Sequence, residues 1–169
     1  MKDFQPSVQL PDENGNYHLY LGYLNGLMKD LLGNTVYNLQ HPFQDILNKD
    51  GIVMQRLKEV PLYGELINLK NKNNCNQFEI NKNNICCKIT DLYFDYTLGE
   101  KVESPGMVGL MGTVKPFGPK SDLFKNDLDD ENKFVNLIFR GYEKFRTDED
   151  GTTIFTLLNL VTFDYHINS

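Results

Sequence analysis

Met107-Val108-Gly109-Leu110-Met111-Gly112-Thr113-Val114, followed by Lys115-Pro116-Phe117-Gly118-Pro119-Lys120-Ser121, is the stretch that decides how this chain folds. Its first segment is apolar and alternates well enough to predict a strand. A pair of prolines and a glycine in the second segment forbid regular structure and predict a tight loop. Ser121 then offers a hydroxyl to the free amides of a short helix over 122–128, and Asp122 suits the positive end of its dipole. Beyond the acidic Asp129-Asp130-Glu131, the run Phe134-Val135-Asn136-Leu137-Ile138-Phe139 predicts a buried strand that stops at Arg140-Gly141. Strand, Pro-rich loop, short helix and strand form a unit that delivers a residue to a strand end, and the occupant of that end decides what chemistry is available.

Working outward toward the N-terminus, residues 1–16 are polar and end in a turn, Asp12-Glu13-Asn14-Gly15-Asn16, which predicts an extended arm. Tyr17–Leu24 alternates like a strand, with Tyr17, Leu19, Leu21 and Tyr23 on one face and His18 beside Tyr20 on the other. Leu27–Leu32 reads as a short helix or an irregular insertion. Val36–Leu39 leads to His41-Pro42, where proline suits the first turn of a helix from Phe43 carrying Ile46, Leu47, Ile52 and Val53, broken at Asp50-Gly51. Val60–Leu66 is a compact apolar segment holding one buried-looking carboxylate, Glu65, whose partner would be Arg140 or Arg56. Two Asn/Lys loops around Gln77–Ile80 predict a hairpin. Ile85–Tyr96 reads as a long strand bent at Asp91, and Thr97–Gly106 as a loop. On the C-terminal side, Glu143–Gly151 reads as a charged hairpin connection into a last strand over Thr152–Asp164.

A chain of 169 residues with 40% hydrophobic and 24% charged residues fits one globular domain, 17–169, behind the arm. With no tryptophan, Phe and Tyr must carry the large-side-chain packing. A formal net charge of −6 and a pI near 5.0 argue against a general nucleic-acid or anionic-membrane binder, which needs a concentrated basic face. No apolar run is long enough to span a bilayer and residues 1–6 lack the apolar stretch of a signal peptide, so synthesis in the cytosol is the expectation. Cys75, Cys86 and Cys87 are odd in number and form no CxxC pair; adjacent cysteines on a strand point to opposite faces, so reduced structural thiols are expected rather than a metal site. The acidic turns 129–131 and 147–150 lack the spaced ligands and glycine of a calcium loop. No metal and no cofactor is implied.

In this order the pieces resemble the prohead maturation proteases of tailed phages, serine endopeptidases that cleave scaffold and capsid proteins. Leu62-Tyr63-Gly64-Glu65-Leu66 is similar to the opening of the family's Leu-x-Gly-Glu-Leu-x-His-Pro motif. Val135–Gly141 lies where a Val-Gly-x-Ser-Ser-Arg-Gly strand end would be, and Leu160-Val161-Thr162-Phe163-Asp164-Tyr165 resembles the closing Thr-Phe-Asp-Val strand. The similarity spans roughly residues 17–166. It implies an α+β fold: a mainly antiparallel, β-barrel-like core with one to three flanking helices, of the prohead protease and assemblin type.

The resemblance places the family's histidine on Asn68 and its serine pair on Ile138 and Phe139. Asparagine cannot accept and return a proton near neutral pH, and neither apolar side chain has a nucleophilic atom. On this reading the chain is not an enzyme but a structural component on a degenerate protease fold. It would grip capsid, portal or scaffold segments by strand addition in a vestigial groove formed by Glu65, Leu66, Asn68, Ile138, Phe139 and Arg140. It would act in the host cytoplasm during assembly, remain virion-associated, form an oligomer within the particle, and touch neither nucleic acid nor membrane. Two other readings stand beside it: an active head-maturation endopeptidase with a displaced nucleophile such as Ser104 or Ser121, and a phage-encoded regulator that binds a host protein.

Overall fold

The computed structural model describes residues 10–29, 35–38, 47–70, 79–151 and 153–167. Among them run β1 (Tyr17–Leu24), β2 (Gly26–Lys29), β3 (Thr35–Asn38), α1 (Ile52–Leu57), β4 (Leu62–Asn68), β5 (Ile85–Asp95), α2 (Leu98–Lys101), β6 (Val108–Pro116), α3 (Ser121–Asp129), β7 (Leu137–Thr147) and β8 (Thr153–Ile167). The strands form one sheet in the order β1-β6-β5-β4-β8-β3-β2, with β7 also on β8. The α+β class and the few helices agree with the sequence, but the sheet is mixed and curls into a half-barrel. Its parallel pairs are both made by β8, which runs beside β3 at its start and β4 at its end. Alternation in a sequence fixes which face is buried; it does not fix strand direction, so these two pairings were not legible.

β1 illustrates how the core forms. Tyr17, Leu19 and Leu21 are buried in alternation, as predicted, but the register against β6 shifts between Tyr20 and Gly22. That bulge moves Leu24, rather than Tyr23, onto the core face. The main core joins these residues to Ile89 of β5, Val114 of β6, Phe124 of α3 and Phe163 of β8. A satellite core of Leu98, Val102 and Met107 packs against Tyr20 and Tyr23 on the other side of β1.

Several boundaries differ from the sequence reading. Residues 27–29 belong to a strand, paired with β3, and not to a helix. The loop expected over 97–106 contains α2, held by buried Leu98 within it and buried Val102 just after it. Ser121 is the first residue of α3 and not its cap; Lys120 holds that position. The strand expected to stop at Gly141 continues to Thr147 along β8, because register shifts on both sides of Tyr142 absorb the irregularity. The predicted break at Gly51 is present, Gly51 preceding α1. The helix start at 43–46 and most of the Gln77–Ile80 hairpin, like His41, lie outside the described residues.

Candidate functional site

Three strand segments that carry the motif-like residues lie side by side, with β8 in the middle. Leu66 pairs with Tyr165 and Asn68 with Ile167 on one side; Ile138 pairs with Asp164, Phe139 with Phe163 and Arg140 with Thr162 on the other. Directly opposed residues share a face. One face therefore carries Glu65, Ile138, Arg140, Thr162 and Asp164, while Leu66 and Phe139 turn toward the core and pack on it.

The polar face is closed by a buried charge cluster. Arg140 Nη2 donates to Glu65 Oε2 at 2.8 Å and to Asp164 Oδ1 at 2.9 Å, and Arg140 Nε lies 2.8 Å from Asp164 Oδ2. Asp164 Oδ1 also accepts from the Glu65 amide at 2.9 Å, and Arg140 Nη1 donates to the Glu79 carbonyl at 3.0 Å. Glu65 and Asp164 are each 1% exposed, which makes these charges dependent on one another. Burial raises the Asp164 carboxyl above the usual carboxylate range, and the guanidinium beside it offsets this only partly. Burial would lower the Arg140 guanidinium, but Asp164 and Glu65 outweigh it and raise it. An arginine does not release its proton in a protein, so the cluster is a clamp across β4, β8 and β7 and not a proton relay. Thr162 tightens it, its hydroxyl donating to the Tyr63 carbonyl at 2.8 Å.

Of the residues singled out from the sequence, Glu65 and Arg140 meet in this clamp. Asn68 does not join them: it ends β4, and its Oδ1 accepts from the Lys70 amide at 3.0 Å. From the register, Asn68 and Ile138 are separated by about 10 Å along the strands and about 10 Å across them. Asp164, the third charge of the clamp, is not among the residues that sequence reasoning singles out. The signal that would find it is the one that marks Glu65, a lone carboxylate inside an apolar strand.

The remaining candidates for chemistry are held elsewhere. His18 Nδ1 lies 3.0 Å from the Tyr93 hydroxyl and Nε2 lies 3.3 Å from Asp12 on the solvent side of β1. Burial, with Asp91 and Asp95, raises the Tyr93 hydroxyl, so it stays protonated near neutral pH. Cys86 and Cys87 are both fully buried, correcting the expectation of opposite faces: Gly64 pairs with Cys87 and Glu65 with Ile85, so Cys86 is the extra residue of a bulge. The Cys87 thiol is pushed well up by Cys86 and burial, which leaves it inert as a nucleophile. Ser104 and Ser121 are the serines among the described residues. Ser121 follows Lys120, whose amide donates to Ile85 at 2.9 Å, at the end of the sheet nearer β4; Ser104 lies at the other end, just before β6. No group of three or more His, Cys, Asp or Glu side chains among the described residues could hold a metal ion.

Against this geometry, the description of the Peptidase S80 family matches the chain over residues 6–168. No curated protein and no solved structure matches it. The match supports a phage prohead-protease-like protein. It also overturns the expectation that the chain is not an enzyme. That expectation rested on where single motif positions fell, whereas nearly the whole chain fits a peptidase family.

Proposed function

From the premise that the chain belongs to the Peptidase S80 family, we propose that it is a peptidase of tailed-phage head assembly that takes an extended segment of a capsid, portal or scaffold protein across the ends of β4 and β7. The observation that carries this reading is the convergence of three motif-like pieces, around Glu65, Arg140 and Asp164, in one buried clamp on adjacent strands. A clamp of that kind fixes strand ends without taking part in proton transfer, which is what a site that must hold a peptide in one register requires. Ile138 lies on the face that receives the segment, Glu65 and Arg140 hold that face, Leu66 and Phe139 back it from the core side, and Asn68 stands apart at the end of β4. The chain works in the host cytoplasm on the assembling head and stays with the virion as an oligomeric component.

Asn68, Ile138 and Phe139 supply neither base nor nucleophile, so hydrolysis draws on a hydroxyl displaced from that strand end. Ser121 is the better placed of the two described serines, since the residue before it is bonded to Ile85 and Ile85 pairs with Glu65. Co-expression with the capsid protein of the source phage tests both the activity and its nucleophile, with the capsid termini read by mass spectrometry. Cleavage that is lost in Ser121→Ala and kept in Ser104→Ala is the expected result. Uncleaved capsid in the presence of the wild-type chain, together with its absence from purified particles, would overturn the assignment.

A further inference from the structure

We infer that the solvent face of β4, β5 and β6 around Lys88, Lys115 and Phe117 is a docking surface for an acidic, extended segment of a partner protein. Tyr63 of β4, Lys88 of β5 and Lys115 of β6 stand in one row across the three strands, Tyr63 opposite Lys88 and Lys88 opposite Lys115. Their neighbours Cys87, Ile89 and Val114 are buried, so this row faces outward. Two lysines directly opposite each other repel, and a sheet does not gain from that pairing by itself. The Lys88 ammonium lies over the Phe117 ring at 5.0 Å, and Phe117 packs on Tyr63 with ring centroids 5.7 Å apart. Phe117 is nevertheless 42% exposed. Lys82, in the turn entering β5, and Lys120, bonded through its amide to Ile85, add two more ammoniums at the same end of the ladder.

None of these four lysines meets a carboxylate among the described residues, whereas Lys101, Lys125, Lys133, Arg140 and Arg146 are each paired with an aspartate. On a chain with 23 acidic residues and a net charge of −6, a cluster of lysines that forms no ion pair among the described residues is a feature that a partner would complete. The chemistry favours carboxylates over phosphates. The cluster holds lysines and no arginine fork, its two rings pack on each other instead of standing apart to receive bases, and the acidic remainder of the chain repels a long polyanion. The exposed edge of Phe117 supplies an apolar contact between the charges. The surface does not depend on the hydrolytic reading of the site.

The test is fluorescence anisotropy of the full chain with a labelled extended peptide of alternating Glu and Phe, its Gln counterpart, and a single-stranded oligonucleotide of equal charge. The Glu peptide is expected to bind, to weaken with added salt, and to lose about tenfold in affinity with Lys88→Gln/Lys115→Gln. Because that double substitution removes a repulsion, its melting temperature should equal or exceed the wild type's; Phe117→Ala gives a second, charge-neutral loss. Equal binding of the Glu and Gln peptides, no effect of the double substitution, tighter binding of the oligonucleotide, or self-association abolished by the same substitution would each overturn the proposal. Ser121→Ala leaves this titration unchanged, so failure of the surface and failure of the peptidase assignment are separable.

Discussion

Arg140 is the residue on which the three central strands depend. It is 8% exposed and is the only cation set against Glu65 and Asp164 in their described surroundings. Replacing it by methionine keeps most of the side-chain volume but leaves two carboxylates buried against nothing positive, which costs about 3–5 kcal/mol. Urea unfolding should record that loss for Arg140→Met. The triple replacement Glu65→Leu/Arg140→Met/Asp164→Leu should recover most of it, because an apolar cluster of similar volume has no charge to desolvate. If the triple variant is no more stable than the single one, the clamp is held by shape and not by charge balance. Sequence made two of the three charges in this cluster legible. Glu65 and Arg140 each interrupt an apolar run, and a buried charge needs a partner, so their pairing could be anticipated. Asp164 interrupts its run in the same way but reads as a member of a motif. The paired burial of Cys86 and Cys87 was not legible, since it follows from a bulge opposite Gly64 that no residue in β5 announces.

That bulge shows how much the elements depend on close approach between strands. A methyl group on Gly64 would stand 2.5 Å from the Phe163 carbonyl oxygen and 2.6 Å from Cys87 Sγ. The first contact is backbone of β8 and cannot swing aside, so Gly64→Ala should destabilise by about 1–3 kcal/mol. Gly151→Ala is the control: with φ of +83° and open space around it, only backbone strain of about 1–2 kcal/mol remains. Equal loss in the two variants with unchanged β8 hydrogen-exchange protection would remove the steric argument. Helix α3 is tied down differently. Phe124 is fully buried and meets the Tyr165 ring edge-on at 5.3 Å, while the Tyr17 and Tyr165 hydroxyls donate to Asp129 and Asp127 at 2.8 and 2.7 Å. Phe124→Ala should therefore cost about 3–5 kcal/mol in the same unfolding measurement. The helix was legible because prolines and glycine isolate it from β6. The length of β7 was not, because Arg140-Gly141 reads as a stop, while its Cβ-free position is what lets Asn159 of β8 pack against it.

At the scale of the whole molecule, the ionisable groups set a stability profile with three limbs. Asp129 is lowered chiefly by its bond from Lys125, and Asp12 chiefly by the Asn16 amide. Burial alone would raise Asp95, yet Thr97, Tyr20 and Lys101 together hold it well below the usual range. A carboxyl depressed on folding contributes stability that is present above the unfolded value of 3.8 and lost as pH falls through the folded one, so these three give a decline on the acid side. Asp164 has the opposite sign. Burial raises it, so its contribution is full below 3.8 and is lost as pH rises through the folded value. Tyrosines add the third limb: burial pushes Tyr17 and Tyr23 up to about 12, and raises Tyr20 and Tyr165 as well. The unfolded chain ionises from about pH 10 while the native one does not, so stability falls as pH rises from 10 toward 12. Urea midpoints across the pH range should separate these limbs by their slopes. Asp95→Asn should flatten the acid limb, Asp164→Asn should remove the decline just above 3.8 while leaving the acid limb in place, and Tyr17→Phe should shallow the alkaline one. A variant that shifts all three limbs together would mean that these groups act through global packing. Slopes that change one at a time would mean that each proton equilibrium reports its own contact, the clamp at Asp164 included.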